Sequence, residues 1–75
     1  MPMLAYEESF LDDEPIQITE DSEPIGIQIK QQGGSWGIFA AEGKRVYGLP
    51  GDLLAMRPTK KDAINAALQL GAQEP

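Results

Sequence analysis

Catalysis needs a base, a nucleophile or a set of metal ligands, and this chain is short of all three. It contains no histidine and no cysteine. That removes the commonest general base, thiolate chemistry, disulfides and sulfur-ligated metals. The serines are Ser9, Ser22 and Ser35, and no imidazole is present to activate them. Acids run together as Asp12-Asp13-Glu14 and as Glu20-Asp21-Ser22-Glu23. Neither run has the ligand spacing or the fixing glycine of a calcium loop, so no metal and no other cofactor is expected. Gly33-Gly34-Ser35-Trp36-Gly37 matches neither phosphate-binding fingerprint. It reads as a hairpin turn that delivers a tryptophan to a core. A non-enzymatic protein is expected.

What the chain does carry is charge in two blocks. The net charge over 75 residues is −6. Residues 1–23 contain Glu7, Glu8, Asp12, Asp13, Glu14, Glu20, Asp21 and Glu23 and no base, whereas all six bases lie in residues 24–75. This asymmetry predicts an acidic, mostly disordered arm over 1–23 and a mildly basic body over 24–75. Tyr6, Phe10 and Leu11 interrupt the acids of the arm. Acidic segments with interleaved aromatics tend to be loose alone and to fold into a partner's groove, so these three are candidate protein-binding residues. On the body, Arg57, Lys60 and Lys61 gather where a helix is expected to begin. Helix N-termini favour negative charge, which makes them a candidate anion site, one that the acidic arm itself could cover. No apolar run approaches the length of a membrane span and no leader peptide is evident. A cytoplasmic protein without membrane contact is expected.

The elements that would position these groups can be read in turn. Pro58 halts whatever precedes it, and Thr59 can cap a helix with Asp62 three residues on. Ala63, Ile64, Ala67, Leu68 and Leu70 fall on one arc at about 100° per residue, with Asp62, Asn65 and Gln69 opposite. Gly71 is the expected left-handed terminator. The chain upstream alternates with period two: Ile25–Gln31, then Trp36–Ala41, then Lys44–Leu49. Gly33-Gly34 and Glu42-Gly43 stand between these strands as two-residue turns. Pro50-Gly51 suits the centre of a type II turn. Ile16–Thr19 is a candidate fourth strand, and Asp52–Met56 fits either a strand or a single helical turn.

Two tight turns fix a register. Ile29 is set against Ile38, Ile27 against Ala40 and Gln31 against Trp36. Beyond the second turn, Ile38 is set against Tyr47 and Trp36 against Leu49. One face then carries Ile27, Ile29, Trp36, Ile38, Tyr47 and Leu49, a seat for the helix. The other face leaves Phe39 and Val46 paired and bare beside Lys30 and Lys44, so Phe39 and Val46 join the candidate protein-binding residues.

The fold expected is α+β: an antiparallel meander of three strands, or four with Ile16–Thr19, and one C-terminal helix packed on one face. This β-β-β-α order, with Trp36 opening the second strand and Thr59-Lys60-Lys61-Asp62-Ala63-Ile64 opening the helix, resembles the small AP2-like and integrase arm-binding domains over roughly residues 25–71. The resemblance implies a sheet that reads a DNA groove, with Lys30, Lys44 and Arg45 on the DNA surface and Arg57, Lys60 and Lys61 at the helix start. Six bases neutralise few phosphates, however, and phosphate neutralisation is the main source of nucleic-acid affinity. The function expected first is therefore a small protein-binding module, an accessory or inhibitory protein acting as a monomer or weak homodimer. Weak nucleic-acid binding is the second expectation.

Overall fold

Alternating isoleucines and a glycine turn set the centre of the structure. The computed structural model describes residues 4–6 and 14–73. Its elements follow in order as β1 (Leu4–Tyr6), β2 (Ile16–Glu20), β3 (Glu23–Gln32), β4 (Ser35–Gly43), β5 (Leu53–Arg57) and α1 (Lys60–Ala72). The strands form one antiparallel sheet in the order β1-β2-β3-β4-β5. The fold is thus α+β, an antiparallel sheet with one C-terminal helix, and the sheet has five strands where three or four were expected.

The β3–β4 hairpin has the register that the Gly33-Gly34 turn demands. Ile29 pairs with Ile38, Ile27 with Ala40 and Gln31 with Trp36. Side chains alternate across a strand, so Ile25, Ile27, Ile29 and Ile38 share one face, and all four are fully buried. Each such side chain contributes about 1.5–3 kcal/mol by leaving water. Ile16 and Ile18 of β2 extend this floor, and Ala63, Ile64 and Ala67 of α1 cover it.

The stretch expected as a loose arm is part of this sheet where it is described. β2 sits between β1 and β3, and Ile16 and Ile18 are core residues. Burying two more isoleucines outweighs the solvation of the acids around them, so the charge asymmetry does not mark an edge of the folded unit. Glu20-Asp21-Ser22-Glu23 is the turn of the β2–β3 hairpin, with Glu20 paired to Glu23 and left-handed φ values at Asp21 (52°) and Ser22 (70°).

The third expected strand is absent. β4 continues through Glu42 and Gly43, residues 44–52 form a loop, and the strand that follows β4 is Leu53–Arg57. Asp52–Met56 therefore resolves largely as strand. Ile38 pairs with Ala55 rather than Tyr47, and Trp36 with Arg57 rather than Leu49. The physical reason lies in the loop. Arg45 and Tyr47 are drawn out of a strand by polar partners on β2 and α1, as described below. Leu54 is the extra residue of a β-bulge, since Ile38 faces Ala55 while Phe39 faces Leu53.

The helix begins as its sequence requires. Thr59 Oγ1 accepts a hydrogen bond from Asp62 N at 3.1 Å, which satisfies one orphan donor of the first turn. Gly71, expected to close the helix, lies inside it and is buried. A Cβ there would stand 3.0 Å from Ile25 Cδ1, so the glycine serves close helix–sheet approach rather than termination.

Candidate functional site

With α1 on one side, the opposite face of the sheet is left without a covering element among the described residues. Phe39 lies on this open face, half-buried, with its ring over Gly37: a Cβ at Gly37 would stand 2.5 Å from Phe39 Cε1 and 3.4 Å from Leu53 Cδ1. The Lys30 ammonium lies 5.5 Å from the Phe39 ring centroid. Gly37 pairs with Lys30 and Met56, and Phe39 with Gln28 and Leu53. Phe39, Leu53 and Met56 therefore form an apolar row at the β5 end of this face.

The loop over residues 44–52 passes on the α1 side of the sheet, with Gly48 against Ala40, and it is tied down along its length. Lys44 N donates to Pro24 O at 2.7 Å. Arg45 Nη2 donates to Glu20 Oε2 at 2.9 Å, and its guanidinium carbon lies 5.8 Å from the Tyr47 ring centroid. The Tyr47 hydroxyl donates to Gln73 O at 3.1 Å and lies 3.4 Å from Gly71 O. Asp52 N donates to Leu49 O at 2.9 Å, and Leu49 N donates to Asp52 Oδ2 at 3.1 Å. With Gly51 at φ 96°, Leu49–Asp52 is the type II turn that Pro50-Gly51 implied. The loop also needs Gly26, whose φ is 82° and where a Cβ would overlap the Arg45 carbonyl oxygen.

This anchored loop presents apolar side chains outward. Five large apolar residues are exposed among the described residues: Val46 (66%), Leu49 (73%), Leu53 (54%), Met56 (40%) and Tyr6 (40%). Four of the five fall within residues 46–56. Solvent-exposed apolar residues scattered singly need no explanation; their concentration on an anchored loop and the strand after it makes residues 46–56 the candidate site. No family model, curated protein or solved structure matches the chain. The site therefore stands on its own geometry.

The expected protein-binding residues fall in three places. Phe39 belongs to the open face. Val46 is exposed as expected but does not pair with Phe39, because it sits in the loop rather than on a strand. Tyr6 lies on β1, at the opposite edge of the sheet from β5. It lines a hollow of about 440 Å³ with Lys60, Lys61, Ile64 and Asn65 at the start of α1. Phe10 and Leu11 lie outside the described residues.

The expected cationic surface is dispersed. Lys44 lies 3.4 Å from Glu20 Oε1 and 3.8 Å from Glu23, and Arg45 bonds Glu20, so both are neutralised locally. Glu20, buried at the end of β2, draws them there. Lys30 covers Phe39, Lys60 lies 5.8 Å from the Trp36 ring centroid, and Arg57 Nη1 donates to Met56 O at 2.7 Å. The acids of 1–23 described in ion pairs, Glu20 and Glu23, meet Lys44 and Arg45. Leu49, Leu53 and Met56 escaped the sequence reading as surface residues. Their signal was Pro50-Gly51: a tight turn exposes the side chains that flank it.

Proposed function

We propose that this chain is a non-enzymatic protein-interaction module, an accessory or inhibitory protein. It receives its partner through the exposed apolar side chains of residues 46–56, Val46 and Leu49 on the anchored loop, with Leu53 and Met56 on β5 beside Phe39. The concentration of exposed apolar side chains in residues 46–56, on a loop held by bonds from β2, β3, β4 and α1, carries this reading. Apolar side chains on a pre-organised backbone favour binding, because little ordering entropy remains to be lost. The distribution of the bases supports a protein over a nucleic acid as partner. Lys44 and Arg45 are held by carboxylates, and Lys30, Arg57 and Lys60 are divided between the open face, the β5 end and the start of α1.

The test compares the wild-type chain with Val46→Asp and Leu49→Asp. Both side chains point into water, so circular dichroism and thermal melting should match wild type, as surface substitutions usually cost within about 0.5 kcal/mol. The immobilised wild-type chain should retain a specific protein from an extract of its source cell, and both variants should lose it. Retention indifferent to both variants refutes the reading. So does micromolar binding of short duplex or single-stranded DNA with a steep salt dependence.

A further inference from the structure

Among the described residues the outer edge of β5 is unpaired, and its backbone geometry can be worked out. Ala40 N donates to Asp52 O and Ala40 O accepts from Gly51 N, each at 2.8 Å. The backbone of Ala40 therefore faces β5, and by the two-residue period so do those of Ile38 and Trp36. Their partners Ala55 and Arg57 are turned inward. Met56 between them has its N–H and C=O directed away from the sheet. Its carbonyl is taken by the chain's own Arg57 guanidinium at 2.7 Å, in the position that an incoming strand's N–H would occupy.

We infer that the occupant of this edge is a second copy of the chain, its β5 antiparallel to the first and centred on Ala55. The inference rests on reading residues 46–56 as an interface, and it names one partner and one mode of contact. Charge decides the occupant. The edge segment carries two charges, Asp52 before β5 and Arg57 at its end, with Leu53-Leu54-Ala55-Met56 between them. Pairing about Ala55 sets Met56 of each copy opposite the Leu53–Leu54 bulge of the other. Because the bulge puts two residues opposite one, Arg57 of each copy then falls opposite Asp52 of its mate. The two-fold axis produces this pair twice. Parallel pairing would set Arg57 against Arg57.

The flank of the strand agrees. A groove of about 190 Å³ runs between β5 and α1, lined by Leu54, Ala55, Ala66, Gln69 and Leu70, and among the described residues Arg57 is its sole charged lining residue. In a chain of net charge −6, this is a side that two copies can bring together without opposing acids. On pairing, each Arg57 leaves its own Met56 carbonyl for Asp52 of the mate. The Met56 carbonyl takes a backbone N–H instead.

Sedimentation equilibrium of the full chain across micromolar to millimolar concentration reads the result. The mass should rise from 8.2 kDa toward twice that value. Met56→Pro removes the outward N–H and leaves the β4–β5 bonds intact, since proline is tolerated where an edge N–H faces solvent. It should leave one-chain mass throughout. Arg57→Asp and Asp52→Lys should each weaken self-association by about tenfold, because each sets two like-charge pairs across the axis. Mixing the two variants in equal amounts should restore association, since both cross-strand pairs are then of opposite sign. The mixing arm does not depend on Met56→Pro folding.

A wild-type chain of one-chain mass up to millimolar concentration overturns the inference, as does a dimer indifferent to both Met56→Pro and the charge variants. Neither result touches the capture of a different protein through Val46 and Leu49, which is read separately with Val46→Asp and Leu49→Asp.

Discussion

Replacing Arg45 by methionine should loosen the loop that presents Val46 and Leu49, and the cost can be worked from the ion pair. Arg45 Nη2 and Glu20 Oε2 are 2.9 Å apart, with side-chain exposures of 18% and 11%. At an effective dielectric constant near 20, the gross attraction at that distance is about 6 kcal/mol. Desolvation of two partly buried ions returns several kcal/mol. Arg45→Met leaves Glu20 with Lys44 alone, at 3.4 Å and itself 43% exposed, which softens the loss. The expected cost is about 2 kcal/mol, below the 3–5 kcal/mol of a fully buried pair broken on one side. For a domain of this size it corresponds to a fall in Tm of about 8–16 °C. Glu20→Gln should cost about 1–2 kcal/mol. The double variant should cost clearly less than the sum of the two, with a coupling of about 1–2 kcal/mol. Urea unfolding followed by the fluorescence of Trp36 measures all four corners of the cycle. Strict additivity, with coupling under about 0.3 kcal/mol, would refute the claim that this pair anchors the loop.

Three further outcomes follow from particular backbone positions. Ser22→Gly should stabilise by about 0.5–1 kcal/mol in urea unfolding, because Ser22 holds a φ of 70° that glycine adopts without a steric penalty. Gly26→Ala should destabilise by about 2–4 kcal/mol, since it meets both the left-handed φ and the Arg45 carbonyl; a melting temperature near wild type would contradict the close approach. Thr59→Ala should cost about 1 kcal/mol through loss of the bond from Asp62 N, and Thr59→Ser should restore most of it.

Much of the fold can be read from local chemistry, and the parts that cannot have a common cause. The β3–β4 register follows from Gly33-Gly34 and four isoleucines at alternate positions, because a slip of one residue would expose all of them. The helix follows from Thr59, Asp62 and the alanine-rich arc. Lys44–Leu49 misleads because Val46 and Tyr47 favour strands and Glu42-Gly43 looks like a turn. What overrides these propensities is remote in sequence: Glu20, 25 residues before Arg45, and the carbonyls of Gly71 and Gln73, reached by Tyr47. Gly43 is consumed by close contact with Gly26 rather than by a turn. The candidate surface was half legible for the same reason. Phe39 and Val46 could be named from alternation, but Leu53 and Met56 come beside Phe39 only through the β4–β5 pairing, and Leu49 is turned outward only once the loop is pinned.

Among the described residues the isoleucine floor is roofed mainly by α1, the element that follows every strand in the chain. On the ribosome the five-strand meander can assemble hairpin by hairpin, yet Ile25, Ile27, Ile29 and Ile38 stay wet until Lys60–Ala72 emerges. At about 5–20 residues per second, those thirteen residues take about one to three seconds to make. Until the helix docks, the sheet keeps its isoleucine face open to water and to other chains.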